Sequence, residues 1–523
     1  MTDAAKVIAD AVPDTSVIVG KDVLELLSSS MYVNPLVIYR EYVQNATDGI
    51  DDAVAAGLLP TLADGRIDIS VDHIDRRVVI RDNGIGVANA EFASRMLSFG
   101  ASAKRGTDAR GFRGVGRLAG LGYAQKLVFR SRTLGDSHVM EATWDMRTVK
   151  RMLASTESDT EFQVVVAEAV AFIQLDDSDS PLHFFEVELV KPRRIGNDRL
   201  LNENEIGSYI GQVCPCPMLP TFMHRSKIDK MLAQHGRCGR AYNIHINESP
   251  DPVFRPYRDE ISYSETKNGR ISKNFRLIKI PESHGDGLAA VGWFVHHDYQ
   301  GAIPVSAGVR GLRARIGNIQ IGNERLLVDI FPEDRFCSWA VGEVHILDDR
   351  VVPNGRRDAF ETSVHVDHLI VHLRSVGAEI ARECRLASQK RHRRKTIERG
   401  MDKVFERLEV IKQGAVSASF VQTSEDEIRK LLIDMRAAAK FDLFDDTERR
   451  SLERQFSSIE DAASNREEED ILAHVPPEKR DVYREVFDLI YACSVNQVAA
   501  KNTIDRMLDR LSRSNGSGSA RAN

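Results

Sequence analysis

A helix bearing three polar groups on one face, followed along the chain by a strand that ends in two closely spaced glycines, constrains this fold more than any other feature. The helix carries Glu41-Tyr42-Val43-Gln44-Asn45-Ala46-Thr47-Asp48, in which Glu41, Asn45 and Asp48 stand at i, i+4 and i+7 and share a face. Alone, such a stripe is an ordinary solvated helix face. The strand runs into Asp82-Asn83-Gly84-Ile85-Gly86, where glycines let the backbone approach a flat ligand and a carboxylate can accept a hydrogen bond from an exocyclic amine, as adenine offers. Next, Gly111-Phe112-Arg113-Gly114-Val115-Gly116 precedes an apolar segment beginning at Leu118, as a glycine loop feeding a helix would, with backbone N–H groups suited to phosphate. It lacks the Lys-Ser/Thr of a phosphate loop and does not follow a first strand, as a dinucleotide fingerprint does. In this order the three motifs point to a mixed α/β domain that binds ATP.

The surrounding periodicity agrees with such a domain. Val23, Leu26 and Leu27 mark one helical face; Pro35 opens a second helix with Val37, Ile38, Tyr42 and Val43 on another. Strand signals occur at Arg66 to Ile74, Arg77 to Asp82, Lys126 to Arg130 and Phe184 to Leu189. Residues 1–204 are therefore expected to form an N-terminal α/β sandwich. Residues 205–385 again mix helical runs with strand runs, at Tyr242 to Ile246, Gly292 to His296 and Gly342 to Leu347, which predicts an α/β middle domain. Over residues 386–513 helical spacing takes over, as in Met401, Val404, Phe405 and Leu408, or Val482, Val486, Leu489 and Ile490. Residues 514–523 are small and polar and are expected to be disordered. The fold class read from the chain is α/β multidomain with a helical C-terminal region.

Composition excludes some functions. A formal charge of -6 gives no general pull toward nucleic acid or acidic membranes, so any such binding needs a local basic patch. The first residues lack the pattern of a secretory signal, and no run of about 18 apolar residues occurs. A cytoplasmic protein without membrane attachment is the simplest expectation. Six cysteines in 523 residues do not make a disulfide framework, and Cys214-Pro215-Cys216 reads as a constrained loop before it reads as a zinc site.

The motifs resemble the superfamily of gyrase, histidine kinases, the ninety-kilodalton heat-shock chaperone and MutL, whose ATP domain has the Bergerat fold, and within it most resemble the chaperone. The likeness extends to Val23-Leu24-Glu25-Leu26-Leu27 and Met31-Tyr32, to the adjacent Arg40 and Glu41, and to Phe99-Gly100-Ala101-Ser102-Ala103-Lys104-Arg105-Gly106-Thr107, which is similar to the chaperone's lid segment. The resemblance implies a lid over about residues 94–117, with Lys104 reaching the nucleotide and Ser98 near it. It implies Glu41 as the base that activates water, Asn45 as a ligand of a magnesium ion held through ATP, and Asp82 as the reader of the adenine amine. Gly86 would let the base lie close, and Gly111, Gly114 and Gly116 would give room and N–H donors to the phosphates. Asp48 either reaches the pocket through water or pairs with Arg40. The family's Gly-Thr pair opening a late strand is missing: the corresponding strand reads His183-Phe184-Phe185-Glu186-Val187-Glu188-Leu189.

The segment Val352-Pro353-Asn354-Gly355-Arg356-Arg357-Asp358 resembles the part of the chaperone's middle domain whose arginine reaches the γ-phosphate, and matching through Asn354 puts Arg357 in that role, with Arg356 the competitor. The resemblance covers about residues 20–385 and implies slow ATP hydrolysis by a clamp acting on protein clients or partner proteins, while the apolar stripes of the C-terminal helices, which do not resemble the chaperone's dimerisation domain, predict a small bundle or a homodimer contact. The stretch Lys390-Arg391-His392-Arg393-Arg394-Lys395 keeps a second reading open, a clamp on DNA of the MutL or MORC kind; otherwise it is a solvated helix face. A nucleotide switch without turnover is a third reading.

Overall fold

The computed structural model describes residues 34–98, 116–154, 162–176, 179–440, 444–464 and 471–516. Lys104, Gly111, Gly114 and most of the expected lid lie outside the described residues, as does the helix face of Val23, Leu26 and Leu27. The chain divides into two units, Met1–Ala381 and Arg382–Asn523.

Alternating apolar residues build the first sheet of unit one. Its strands are β1 (Arg66–Asp72), β2 (Arg77–Asp82), β3 (Lys126–Arg132), β4 (Val139–Asp145), β5 (Val170–Leu175), β6 (Phe184–Val190) and β7 (Asn243–Ile246), in the order β5-β4-β3-β6-β2-β1-β7. Neighbours are antiparallel except β1 and β7, which run parallel. Ile67, Ile69, Val78, Ile80, Leu127, Phe129, Val187 and Leu189 point to one face, where α1 (Val37–Ala55) covers them with Ile38, Tyr42, Val43, Ala46 and Ile50. Burying each such side chain stabilises the layer by roughly 1.5–3 kcal/mol. Farther along come α2 (Asn89–Leu97), α3 (Met146–Leu153), which Asp145 caps by accepting from the N–H of Arg147 at 2.8 Å, and α4 (Phe162–Ala169).

The opposite face alternates into charge. Arg81 pairs with Glu186, Arg77 with Glu188, and Arg130 bridges Glu186, Glu188 and Glu141 at 2.7–2.8 Å. Among the described residues the sheet is therefore apolar on its helix-covered side and charged on the other.

Strand β7 departs from expectation. The run from Tyr242 to Ile246, grouped by sequence with the stretch 205–385, pairs along β1, Arg66 to Asn243 and Ile69 to Ile246. The reason is local: β1 would otherwise expose an unpaired edge, Ile244 completes the apolar layer, and the Tyr242 hydroxyl reaches Asp51 of α1 at 2.5 Å.

The second sheet has the order β12-β11-β13-β10-β9-β8, from β8 (Glu260–Ser264), β9 (Lys267–Pro281), β10 (Leu288–His297), β11 (Gly311–Ile316), β12 (Ile319–Gln320) and β13 (Val341–Ile346). Between β6 and β7 in sequence lie α5 (Glu203–Val213) and α6 (Arg225–Leu232). Trp293, Tyr257, Phe222 and Val341 centre the second core.

The helix α7 (Val364–Lys412) leads into unit two, which adds α8 (Ala418–Ala439), α9 (Asp446–Ser464), α10 (Pro477–Cys493) and α11 (Gln497–Gly516). Ile428, Leu432 and Met435 pack with Phe456 and Ile459, while Phe487 and Tyr491 pack with Ile504 and Leu508. Helix α11 continues through Ser514, where the sequence placed the start of a disordered tail. No helix among the described residues is long and apolar enough to cross a membrane. The α/β multidomain class with a helical C-terminal region is what the structure has.

Candidate functional site

The site grows from α1. Its burial is nearly continuous from Ile38 to Asp48 because one side meets the sheet and another meets the segment Gly116–Gly122, so Glu41 keeps only 8% of its surface. Arg40, equally buried, holds Glu41 Oε1 with Nη2 at 2.8 Å and Nε at 3.1 Å. The other carboxylate oxygen lies against the backbone at Gly116, where a Cβ would stand 2.4 Å from Glu41 Oε2. A glycine is required there for the acid to fit, apart from any service to a phosphate. Asn45 is half-buried, one turn on, and its amide oxygen is a hard donor of the kind magnesium accepts. Asp48 is buried at 3% exposure.

At the other end of α1, Asp82 closes β2 and is buried. Burial pushes its carboxyl up to about 7, against the opposing effect of hydrogen bonds from the backbone N–H groups of Gly84 and Phe185. The turn is tied to the helix by the Ile85 N–H, which donates to the Gly49 carbonyl at 3.0 Å. Gly86 has φ +74° and a Cβ there would lie 2.1 Å from the Arg132 carbonyl oxygen, so strand packing alone demands glycine. Phe185 is the cross-strand neighbour of Asp82, on the same sheet face as Val187 and Leu189. A phenyl ring thus flanks Asp82, and His183 binds the Gly84 carbonyl through Nδ1 at 2.8 Å. Ser98 caps the C-terminus of α2 and is half-buried.

The loop after β13 reaches α1. Asn354 organises it: Oδ1 accepts from the Asp358 N–H at 3.1 Å and Nδ2 donates to Asp358 Oδ1 at 2.6 Å. Pro353 bridges Phe360, and Arg357 sits at φ +57°, a left-handed conformation that a non-glycine residue adopts at a cost. The carbonyl of Arg356 accepts from Arg40 Nη2 at 3.2 Å. Glu41, Arg40, Gly116 and the Arg356-Arg357 turn therefore converge, whereas Asp82 and Gly86 form a second focus near Gly49.

The sequence did not point to the buried cluster that fastens the second sheet to the segment after α5. Glu343 of β13 binds Arg255, Arg315 at 2.7 Å, His345 at 3.1 Å and the Tyr257 hydroxyl at 3.2 Å. Burial pushes the Glu343 carboxyl up, but Arg255 and Arg315 outweigh it and hold it well below the usual range. The two arginines also donate to the carbonyls of Gln212 and Cys216. Glu343 and His345 inside the buried strand Val341–Ile346 were the available signal. Nearby, Arg240 and Tyr242 bind Asp51 of α1, Arg240 at 2.9 Å.

Cys214 and Cys216 are buried free thiols, and burial pushes Cys216 up to about 12. Among the described residues no group of three or more His, Cys, Asp or Glu is arranged to hold a metal ion.

Residues 38–171 match the family model described as histidine kinase-, DNA gyrase B-, and HSP90-like ATPase. Among curated proteins the chain is similar to the chaperone protein HtpG of Fusobacterium nucleatum subsp. nucleatum, 34% identical over 130 residues, which are 22% of this chain and 21% of that protein. It is similar to HtpG of Enterobacter sp., 30% identical over 142 residues, 24% of this chain and 23% of the relative. HtpG of Rickettsia prowazekii is 27% identical over 190 residues, 33% of this chain and 30% of the relative. The matches thus span 21% to 30% of the length of these relatives.

Proposed function

We propose, from a domain that matches the histidine kinase-, gyrase B- and HSP90-like ATPase family as premise, that this protein binds ATP on α1 and hydrolyses it slowly, as a chaperone-like clamp acting on protein clients. The observation that carries the reading is the placement of Glu41: a buried carboxylate, oriented by Arg40 and pressed against the glycine backbone at 116, beside the turn that bears Arg357. A carboxylate so held is suited to take a proton from water as that water attacks the γ-phosphorus and the bond to the β-phosphate oxygen breaks. Asp82 accepts from the adenine amine, with Gly86 in the same turn. Ser98, Lys104, Gly111, Gly114 and Gly116 serve the nucleotide from the lid side. Arg357 stabilises the charge that spreads over the γ-phosphate, a task that suits an always-charged planar fork. A magnesium ion, when bound with ATP, neutralises phosphate charge, and Asn45 is the residue of this chain that completes its shell.

The division into an ATP domain at 1–204, a transducer-like domain at 205–385 and a helical region at 386–513 belongs to this proposal, as do cytoplasmic location and homodimerisation through the helical region. The DNA clamp is the weaker reading, because Lys390 and Arg394 both pair with Glu448, at 2.7 and 2.6 Å, so that part of the basic run is internally neutralised. A switch without turnover is less suited to a chain that orients Glu41 so closely.

Phosphate release from ATP by the full chain, beside Glu41→Ala and Arg357→Ala, is the test. Slow turnover by the wild type, with both variants binding ATP but failing to hydrolyse it, supports the proposal. A wild type that binds no ATP ends it, and one that binds without turnover makes the protein a switch.

A further inference from the structure

Arg117 follows directly on the glycine whose backbone abuts Glu41. Its Nε and Nη2 are buried, and neither has a hydrogen-bond partner. Among the described residues it is the only side chain with two such orphaned polar atoms. Burial pushes the guanidinium down to about 10, and Arg95 of α2 lowers it further; no carboxylate offsets either effect. Arg95 itself pairs with Glu91 at 3.1 Å, so that carboxylate is already engaged.

An unpaired buried donor costs about 1–3 kcal/mol, and more when charged. Arginine cannot escape by losing its proton. Natural proteins keep such a group mainly where something else completes it. An anion suits Arg117 best, because the one charge acting on it, Arg95, is a cation, and it must present acceptor oxygens to Nε and Nη2 together. A phosphate group meets both conditions, and the guanidinium fork matches it in shape.

We propose that Arg117 binds a phosphate of the nucleotide and so makes this pocket select phosphorylated nucleotides over the nucleoside. The proposal rests on the ATP-binding reading and adds to it a residue that the motif reading left unassigned.

Two consequences distinguish a phosphate ligand from a packing role. Replacing the charge while keeping the stem, as in Arg117→Met, removes an uncompensated buried cation, so the nucleotide-free protein does not lose stability. The same change removes charge-assisted hydrogen bonds to the ligand and costs roughly ten- to a hundredfold in affinity for ATP. The experiment measures binding of ATP, ADP and adenosine to the full chain, wild type, Arg117→Met and Arg117→Lys, by calorimetry, with Tm recorded for each without ligand. The expected result is a selective loss of ATP and ADP affinity in Arg117→Met, adenosine affinity within about twofold of wild type, an unchanged or raised Tm, and partial recovery in Arg117→Lys. Retained ATP affinity in Arg117→Met overturns the proposal, and so does a parallel loss of ATP and adenosine with a lowered Tm, which marks a packing residue. If the wild type binds neither ATP nor adenosine, the ATP-binding reading itself has failed; if it binds adenosine no more weakly than ATP, only the role of Arg117 has.

Discussion

The main-chain carbonyl of Arg356 accepts a hydrogen bond from Arg40, whose same Nη2 atom holds Glu41. A loop of the second sheet is thus one side chain away from the acid proposed to activate water. The Arg40 guanidinium is shared between that loop and Glu41.

From this linkage, Arg40→Ala is expected to lower kcat at least tenfold while leaving ATP affinity within a fewfold, since Arg40 positions the acid without reading the base. It also strands a buried carboxylate, at a cost of about 3 kcal/mol or more if the charge stays in place. Glu41→Gln, by contrast, loses roughly a hundred- to ten-thousandfold in kcat and retains its Tm. Phosphate release and thermal melting on the two variants check both statements; an Arg40→Ala protein with wild-type kcat would sink the positioning argument.

Gly116→Ala tests the contact on the other carboxylate oxygen. The added methyl must displace Glu41 Oε2, the far end of a side chain, so folding is expected to survive with a small drop in Tm while kcat falls about tenfold or more. Alanine there with full turnover would show that Glu41 does not need its observed seat.

Much of this arrangement was legible in the chain. β2, at Arg77–Asp82, carries both the alternation and the Asp-Asn-Gly-Ile-Gly turn, so the strand was legible together with the candidate residues at its end. β4 and β5 escaped because Val139–Asp145 is broken by polar residues and Val170–Leu175 continues the apolar run of α4. α9 escaped because its apolar positions are few among charges. The seat of β7 was beyond reach, since it depends on which edge of a distant sheet is left open. The orphaned guanidinium of Arg117 is likewise a property of its surroundings that local pattern does not encode. Phe185 beside Asp82 was half-read: the missing threonine was visible, but its consequence for the acid required the cross-strand register.

Helix α10 is apolar on two sides. Phe487 and Tyr491 face the core, while Val482, Val486 and Leu489 are 58%, 41% and 62% exposed and line up with exposed Cys493 at spacings of four, three and four. That is an a/d seam, the pattern with which one helix packs on a second copy of itself. Val486→Lys with Leu489→Lys is expected to convert a dimer to a monomer without lowering Tm of the isolated chain, because neither residue is in the core. Sedimentation at about 10 μM decides it: a wild type that is already monomeric removes the seam from the proposal.

The acidity of Asp82 gives a pH dependence of opposite sign for stability and for binding. With its carboxyl raised from 3.8 to about 7 by burial, the native state holds a proton that the unfolded chain has released between those values. Stability from this group is therefore fully present below the unfolded value and is lost as pH rises through about 7. Binding runs the other way. An adenine amine donates, and although either form of the carboxyl can accept, the ionised form accepts more strongly, so affinity should climb as pH rises toward about 7 and level off above it. Adenosine is the right probe, because it carries no phosphate that titrates in the same range. Its affinity is expected to increase as pH rises across the titration of Asp82, while Tm of the nucleotide-free protein declines over the same interval. Asp82→Asn should abolish the shared pH dependence and raise Tm above wild type at about pH 8, since it leaves no charge to bury. Adenosine affinity that is flat between about pH 6 and pH 8 would mean that ionisation of this carboxyl contributes nothing to reading the base.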